Sequence, residues 1–118
     1  MLDFYHYPRC TTCIKARKYL ISKGFQLRVI DITLNPPSTK VLISFIKKSG
    51  RSYTDFLNRS GAQYREQNMK EKLKKLPVPG VLSLLAANGR LIKRPIVVDE
   101  ERVTVGFNEA DFNRIWSR

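Results

Sequence analysis

Cys10 and Cys13 are the only thiols in the 118-residue chain, and they sit in the stretch YHYPRCTTCIKARKYL, after a proline and before a basic run. A Cys-x-x-Cys pair has three chemical options: cycling between dithiol and disulfide, half of a metal site, or none. Structural zinc takes four ligands, and the chain offers two Cys and one His, which argues for redox work. A thiol attacks as its thiolate, and at the ordinary pKa of about 8.5 only roughly 3% is ionised at neutral pH. A helix starting just after Cys10 would point free N–H groups at the sulfur. That end contributes about 0.3 to 1 kcal/mol, at best about 2, or about one pKa unit. Cations must supply the rest, and Arg9, Lys15, Arg59 and Arg94 are the candidates. Cys13, one helical turn on, is spaced to close a disulfide with Cys10 and so to act as a resolving thiol.

The pair needs a frame, and the punctuation of the chain supplies one. LDFYHY reads as a first strand ended by Pro8. From Thr11 to Lys23 the apolar positions Ile14, Tyr19, Leu20 and Ile21 predict a helix closed by Gly24. FQLRVIDI reads as a second strand, and a strand, helix and strand within about 30 residues predict parallel pairing. After TLNPPS, Ser38 caps a helix expected to bury Val41, Leu42, Phe45 and Ile46 and to stop at Gly50. SYTDFL and AQYREQNMKEKLKKL read as helical, and VPGVLSLLAANGR as a helix with Pro79 near its start and Gly89 at its end. RPIVV and RVTVGF flank the acidic turn DEE as a hairpin, and NEADFNRIW closes with a helix capped by Asn108.

The formal charge is +12, from 22 Lys and Arg against 10 Asp and Glu, so anionic substrates, acidic partners and nucleic acid all come into question. The basic stretches KVLISFIKKSGR and KEKLKK carry helix-period apolar residues, the pattern of a solvated helix face. Aromatics are not interleaved with them and no Cys/His finger spacing occurs, so direct DNA binding is not expected. No apolar run approaches the roughly 20 residues of a membrane span, and the start lacks a signal-like pattern. One monomeric, cytoplasmic domain spanning 1–118 is the expectation.

Taken together, YPRCTTCIKA, NPPS, YRE, KRPIVV and VGFNE resemble the arsenate reductase and Spx family across nearly the whole chain. The resemblance implies an α/β, thioredoxin-like fold with a mixed four-stranded sheet. Its core would be residues 1–32 and 91–118, with a helical insertion over 33–90 between the second and third strands. It implies a low-pKa nucleophile at Cys10 with Cys13 resolving, and His6 beside it through a His-x-x-x-Cys spacing. Arg59 and Arg94 would bind an oxyanion and stabilise the thiolate, and Pro95 would be the cis-proline opposite the cysteine. Two positions depart from the reductases: Ile14 follows Cys13 where an arginine often lies three residues after the nucleophile, and Gly106 stands at the third arginine of the oxyanion site. The expectation is therefore a thiol-disulfide oxidoreductase that handles arsenate poorly. It would need no bound cofactor and would draw on an external thiol such as glutathione, glutaredoxin or thioredoxin. The Spx side of the resemblance implies the alternative, a redox-sensing regulator that binds the RNA polymerase α subunit through its C-terminal domain, with Gly50 near that interface.

Overall fold

The computed structural model describes residues 1–117. Strand β1, Leu2–His6, leads through helix α1, Thr11–Ser22, to strand β2, Leu27–Asp31. The two strands pair in parallel, with Leu2 opposite Leu27 and His6 opposite Asp31. Parallel neighbours need a crossover, and α1 is that crossover. At the other end of the chain, β3, Ile96–Val98, and β4, Val103–Val105, form an antiparallel hairpin, and β3 pairs antiparallel with β1. The order β2-β1-β3-β4 is the mixed four-stranded sheet of an α/β, thioredoxin-like fold.

Successive side chains of a strand face opposite sides of the sheet, and here that alternation builds two hydrophobic layers. Leu2, Phe4 and Val97 meet Cys13, Ala16 and Leu20 of α1, together with Phe112 and Trp116 in and after helix α6, Glu109–Ile115. Ile96 and Val98 point the other way, into a layer with Leu42 and Phe45 of α2, Thr39–Ser49, and Val81, Leu82 and Leu85 of α5, Val78–Ala87. The segment between β2 and β3 is helical, as expected. It holds α2, a 3₁₀ turn at Tyr53–Phe56, α3 over Ala62–Glu66, α4 over Met69–Lys75, α5 and a second 3₁₀ turn at Gly89–Leu91.

Local chemistry explains the boundaries. Ser38 caps α2 by accepting from the Val41 N–H, and Asn108 caps α6 by accepting from the Asp111 N–H. Gly50 ends α2 in the left-handed region at φ 67°. The DEE turn is closed by Asp99, whose carboxylate accepts from the Glu101 and Arg102 N–H groups. Arg102 then donates to the Ile115 carbonyl and lies over the Trp116 ring, fastening the hairpin to α6.

Three expectations are corrected. The inward face of α1 is Cys13, Ala16 and Leu20, while Ile14 is 46% exposed and Ile21 also points outward. Val41 is 36% exposed, so α2 buries only Leu42 and Phe45, with Ile46 partly covered. The run AQYREQNMKEKLKKL is two short helices, because Asn68 adopts a left-handed conformation at φ 51° and Met69 turns fully into the core. Gly89 stands just past the end of α5, after the C-cap Asn88, as expected, and it is buried where a Cβ would lie 1.9 Å from the Ile32 carbonyl oxygen, a close approach that only glycine permits.

Candidate active site

Cys10 occupies the N-cap of α1, and its Sγ accepts a hydrogen bond from the Cys13 N–H at 3.3 Å. Ser, Thr, Asp and Asn usually hold that position, because the first turn of a helix leaves N–H groups without backbone partners. Here sulfur takes the place of the capping oxygen, where free donors converge and where an anion is best placed. The first turn carries no acidic residue to oppose it.

Cys13 lives in a different environment three residues on. It is 1% exposed, packed in the α1 layer, and both cysteines are free thiols. Burial above all, and then the hydrogen bond with Cys10, push its pKa up to about 12 from an ordinary value of 9.0, against an opposing pull from Arg94. The folded state therefore holds this proton more tightly than the unfolded chain does. The stability from this source is complete below about pH 9 and is lost as pH rises toward about 12. Urea midpoints of the reduced protein should fall with pH in that window, and Cys13→Ala should flatten the slope. Equal slopes in the two proteins would contradict it.

Beside Cys10 opens a cleft of about 680 Å³ lined by four cations, Arg9, Arg51, Lys93 and Arg94, against one carboxylate, Asp111. Arg51 is already paired with Asp111 at 3.0 Å, and Asp111 also meets Arg114 at 3.3 Å. Arg94 stacks its guanidinium 4.9 Å above the Tyr7 ring, and its buried Nη1 has no hydrogen-bond partner among the described residues. A buried donor left unmatched costs about 1 to 3 kcal/mol, more when charged, so this atom favours an anionic or oxygen-bearing ligand in the cleft. The Arg94–Pro95 peptide bond is cis, and the Pro95 carbonyl accepts from the Gly106 N–H at 2.8 Å.

The structure thus brings Cys10, Cys13 and Arg94 together. Arg59 is exposed and does not line the cleft, although its neighbours Asn58 and Ser60 do. Lys15 is likewise exposed and outside it. His6 ends β1 half-buried, its ring 6.1 Å from that of Phe4. Burial lowers its pKa, Asp31 opposes the shift and Arg17 adds to it, and His6 does not line the cleft either. Gly50 is exposed with open space where a Cβ would project. Arg51 and Lys93 are the cleft cations that sequence reading missed. The available signal was weak: each adjoins a residue singled out for another reason, Gly50 and Arg94.

The thioredoxin-like sheet thus holds a cysteine that caps the first helix, with a cationic cleft beside it. The ArsC family model matches residues 5–115, and the chain belongs to that family. It is 47% identical over 116 residues to the Bacillus subtilis protein YusI, covering 98% of each chain. It is 30% identical to the global transcriptional regulator Spx of Enterococcus faecalis, over all of this chain and 88% of that one. The solution structure of a Staphylococcus aureus COL protein superposes with a TM-score of 0.90 at 36% identity, covering both chains fully.

Proposed function

We propose that the protein is a thiol-disulfide oxidoreductase of the ArsC family in which Cys10 is the nucleophile and Cys13 the resolving thiol. The observation that carries this is the position of Cys10, at the N-terminus of α1 with its sulfur accepting the Cys13 N–H and a cationic cleft before it. Cys10 attacks one sulfur of an oxidised substrate, a mixed disulfide forms, and a thiolate leaves with a proton from solvent. Cys13 then displaces the second thiolate and closes the Cys10–Cys13 disulfide, which an external thiol such as glutathione, glutaredoxin or thioredoxin reduces. The dithiol is suited to a reducing, cytoplasmic compartment. The test is quantitative alkylation: brief treatment with a limiting electrophile followed by mass spectrometry should label Cys10 alone. Equal labelling of Cys13 would contradict the assignment of roles.

Arsenate is a poor substrate in this proposal, because Gly106 offers no side-chain donor and Arg59 lies outside the cleft. Losing one preorganised donor costs about 10²- to 10³-fold in rate. Turnover with arsenate, glutathione and glutaredoxin is expected about 10²-fold or more below that of a dedicated arsenate reductase. Comparable turnover would refute it.

A second role is favoured by Gly50, exposed, with nothing within 4 Å of a Cβ built there, in a chain matched along its whole length by Spx regulators. In that role the protein docks on the C-terminal domain of the RNA polymerase α subunit through the surface around Gly50. A pull-down with that domain discriminates: retention by the wild type and loss in Gly50→Arg supports docking, and no retention leaves the oxidoreductase.

A further inference from the structure

Lys93 and Gly106 meet across the cleft floor. Gly106 is buried at φ +77°, a conformation that L side chains rarely adopt, and its N–H is held by the Pro95 carbonyl. A Cβ at that position would lie 2.9 Å from Cε and 3.4 Å from Nζ of Lys93. The lysine chain therefore occupies the space that a side chain at 106 would claim. Its root is fixed as well, because the Lys93 N–H donates to the Phe56 carbonyl at 2.8 Å.

Among the described residues two cleft cations, Arg9 and Lys93, have no ion-pair or ring partner, and Lys93 is the one laid against Gly106. Arg51 is neutralised by Asp111, and Arg94 is stacked on Tyr7. Among the described residues no carboxylate lies within ion-pair distance of Lys93. The bare backbone at Gly106 thus leaves room for the Lys93 chain in the cleft that Cys10 also lines, and the cationic charge absent from position 106 enters from position 93.

We propose that Lys93, laid over the glycine at 106, selects anionic disulfides as the substrates of Cys10, pairing with a carboxylate a few atoms from the sulfur under attack. The inference rests on the thiol-exchange role of Cys10 and adds the substrate class. A lysine suits it, since its flexible stem and point charge follow carboxylates at varied distances, whereas a rigid arginine fork is matched to a fixed oxyanion. In the selected step the Cys10 thiolate attacks one sulfur of the probe, the probe's S–S bond breaks, the Cys10–S–S–R bond forms, and RS⁻ leaves and takes a proton from water.

Single-turnover rates with three disulfides of different charge test it: 3,3′-dithiodipropionate, 2-hydroxyethyl disulfide and cystamine. Each rate is divided by that of an uncharged free thiol with the same probe, which removes intrinsic reactivity. Wild type should prefer the anionic probe over the neutral one, and cystamine should be slowest. Lys93→Gln should lower the anionic-to-neutral ratio about fivefold, the factor for one unit charge a few Å away near solvent. The readout is the ratio and not either absolute rate, because removing a cleft cation changes the Cys10 thiolate fraction for every probe alike; Lys93→Arg should keep the ratio, and high salt should shrink it in wild type. An unchanged ratio in Lys93→Gln, with Cys10 still reacting, overturns the role of Lys93 and leaves the oxidoreductase standing. A Cys10→Ser protein that reacts as fast as wild type with the neutral probe overturns the thiol-exchange role itself. Circular dichroism of each variant checks that the fold is retained.

Discussion

Cys10→Ser is expected to abolish the fast reaction with a disulfide, while Cys13→Ser is expected to react at a near-normal rate and stop at the mixed disulfide. The two thiols lie one helical turn apart but in unlike surroundings. Cys10 Sγ lines the cleft and accepts the Cys13 N–H, the amide of the third residue of α1. Cys13 is buried in the layer of Phe4, Ala16 and Leu20, and burial pushes its pKa up to about 12, so at pH 7 it is held as the thiol. Exchange rates follow thiolate fraction and access, so removing Cys10 should slow the reaction at least 10²-fold. Cys13 becomes competent only after Cys10 is modified, when the target sulfur is delivered to it. Mass spectrometry after brief exposure to oxidised glutathione should find a stable adduct on Cys13→Ser and almost none on Cys10→Ser. Adducts of equal abundance on both variants would mean that the thiols are interchangeable.

The second large effect lies away from the thiols, at Gly89. Gly89→Ala would place its Cβ 1.9 Å from the oxygen, 2.7 Å from the carbon of the Ile32 carbonyl and 3.1 Å from the Thr33 Cα, all of them backbone atoms. Ile32 cannot yield easily: its N–H donates to the His6 carbonyl at 2.9 Å and its side chain is fully buried. The 88–91 segment must therefore separate from the end of β2, taking Leu91 and Ile92 out of the core with it. A cost above about 4 kcal/mol belongs to the rare, diagnostic class of substitutions. Against a total stability of about 5 to 15 kcal/mol, it removes between about a quarter and most of the margin and should lower the melting midpoint by more than about 10 °C. Gly80→Ala is the control. It lies inside α5 with only ordinary contacts, the nearest at 3.6 Å, and should stabilise by about 0.5 to 1 kcal/mol. Thermal melts decide the matter, and a Gly89→Ala midpoint within a few degrees of wild type would refute the steric account.

The scaffold was legible because its signals are local. Pro8, Ser38, Gly50 and Asn108 mark ends that the structure keeps, and a strand, helix and strand in close succession imply parallel pairing before any coordinates exist. The Cys-x-x-Cys spacing likewise placed Cys10 at the helix start. The cleft was only partly legible, since its walls come from segments distant in the chain: Arg9 beside the cysteine, Arg51 after α2, Asn58 in the insertion, and Lys93 with Arg94 before β3. Arg59 shows the limit most clearly. In an irregular stretch no period of 2 or 3.6 says which of three consecutive side chains turns inward, and Asn58 and Ser60 do so instead. Burial on the helices was overestimated for a related reason. Ile14, Ile21 and Val41 satisfy an apolar pattern, yet the stripe that meets the sheet is narrower than that pattern. The split at Asn68 carried no signal beyond one residue able to enter the left-handed region.

The chain's single tryptophan gives the two-layered sheet an optical consequence. Trp116 is fully buried in the layer that holds Cys13, with its indole N–H donated to the Thr104 hydroxyl at 3.0 Å. Tyr5, Tyr53 and Tyr64 pack against the opposite layer. Tryptophan emission therefore reports the thiol side of the sheet without any label being added, whereas the tyrosines are shared between the two sides, Tyr19 packing with the thiol layer. Strand β3 joins the two, turning Val97 toward one layer and Ile96 and Val98 toward the other. Whether that emission and the far-ultraviolet signal of the helices change together or apart during denaturation measures how firmly this one short strand couples the cysteine-bearing layer to the helical insertion.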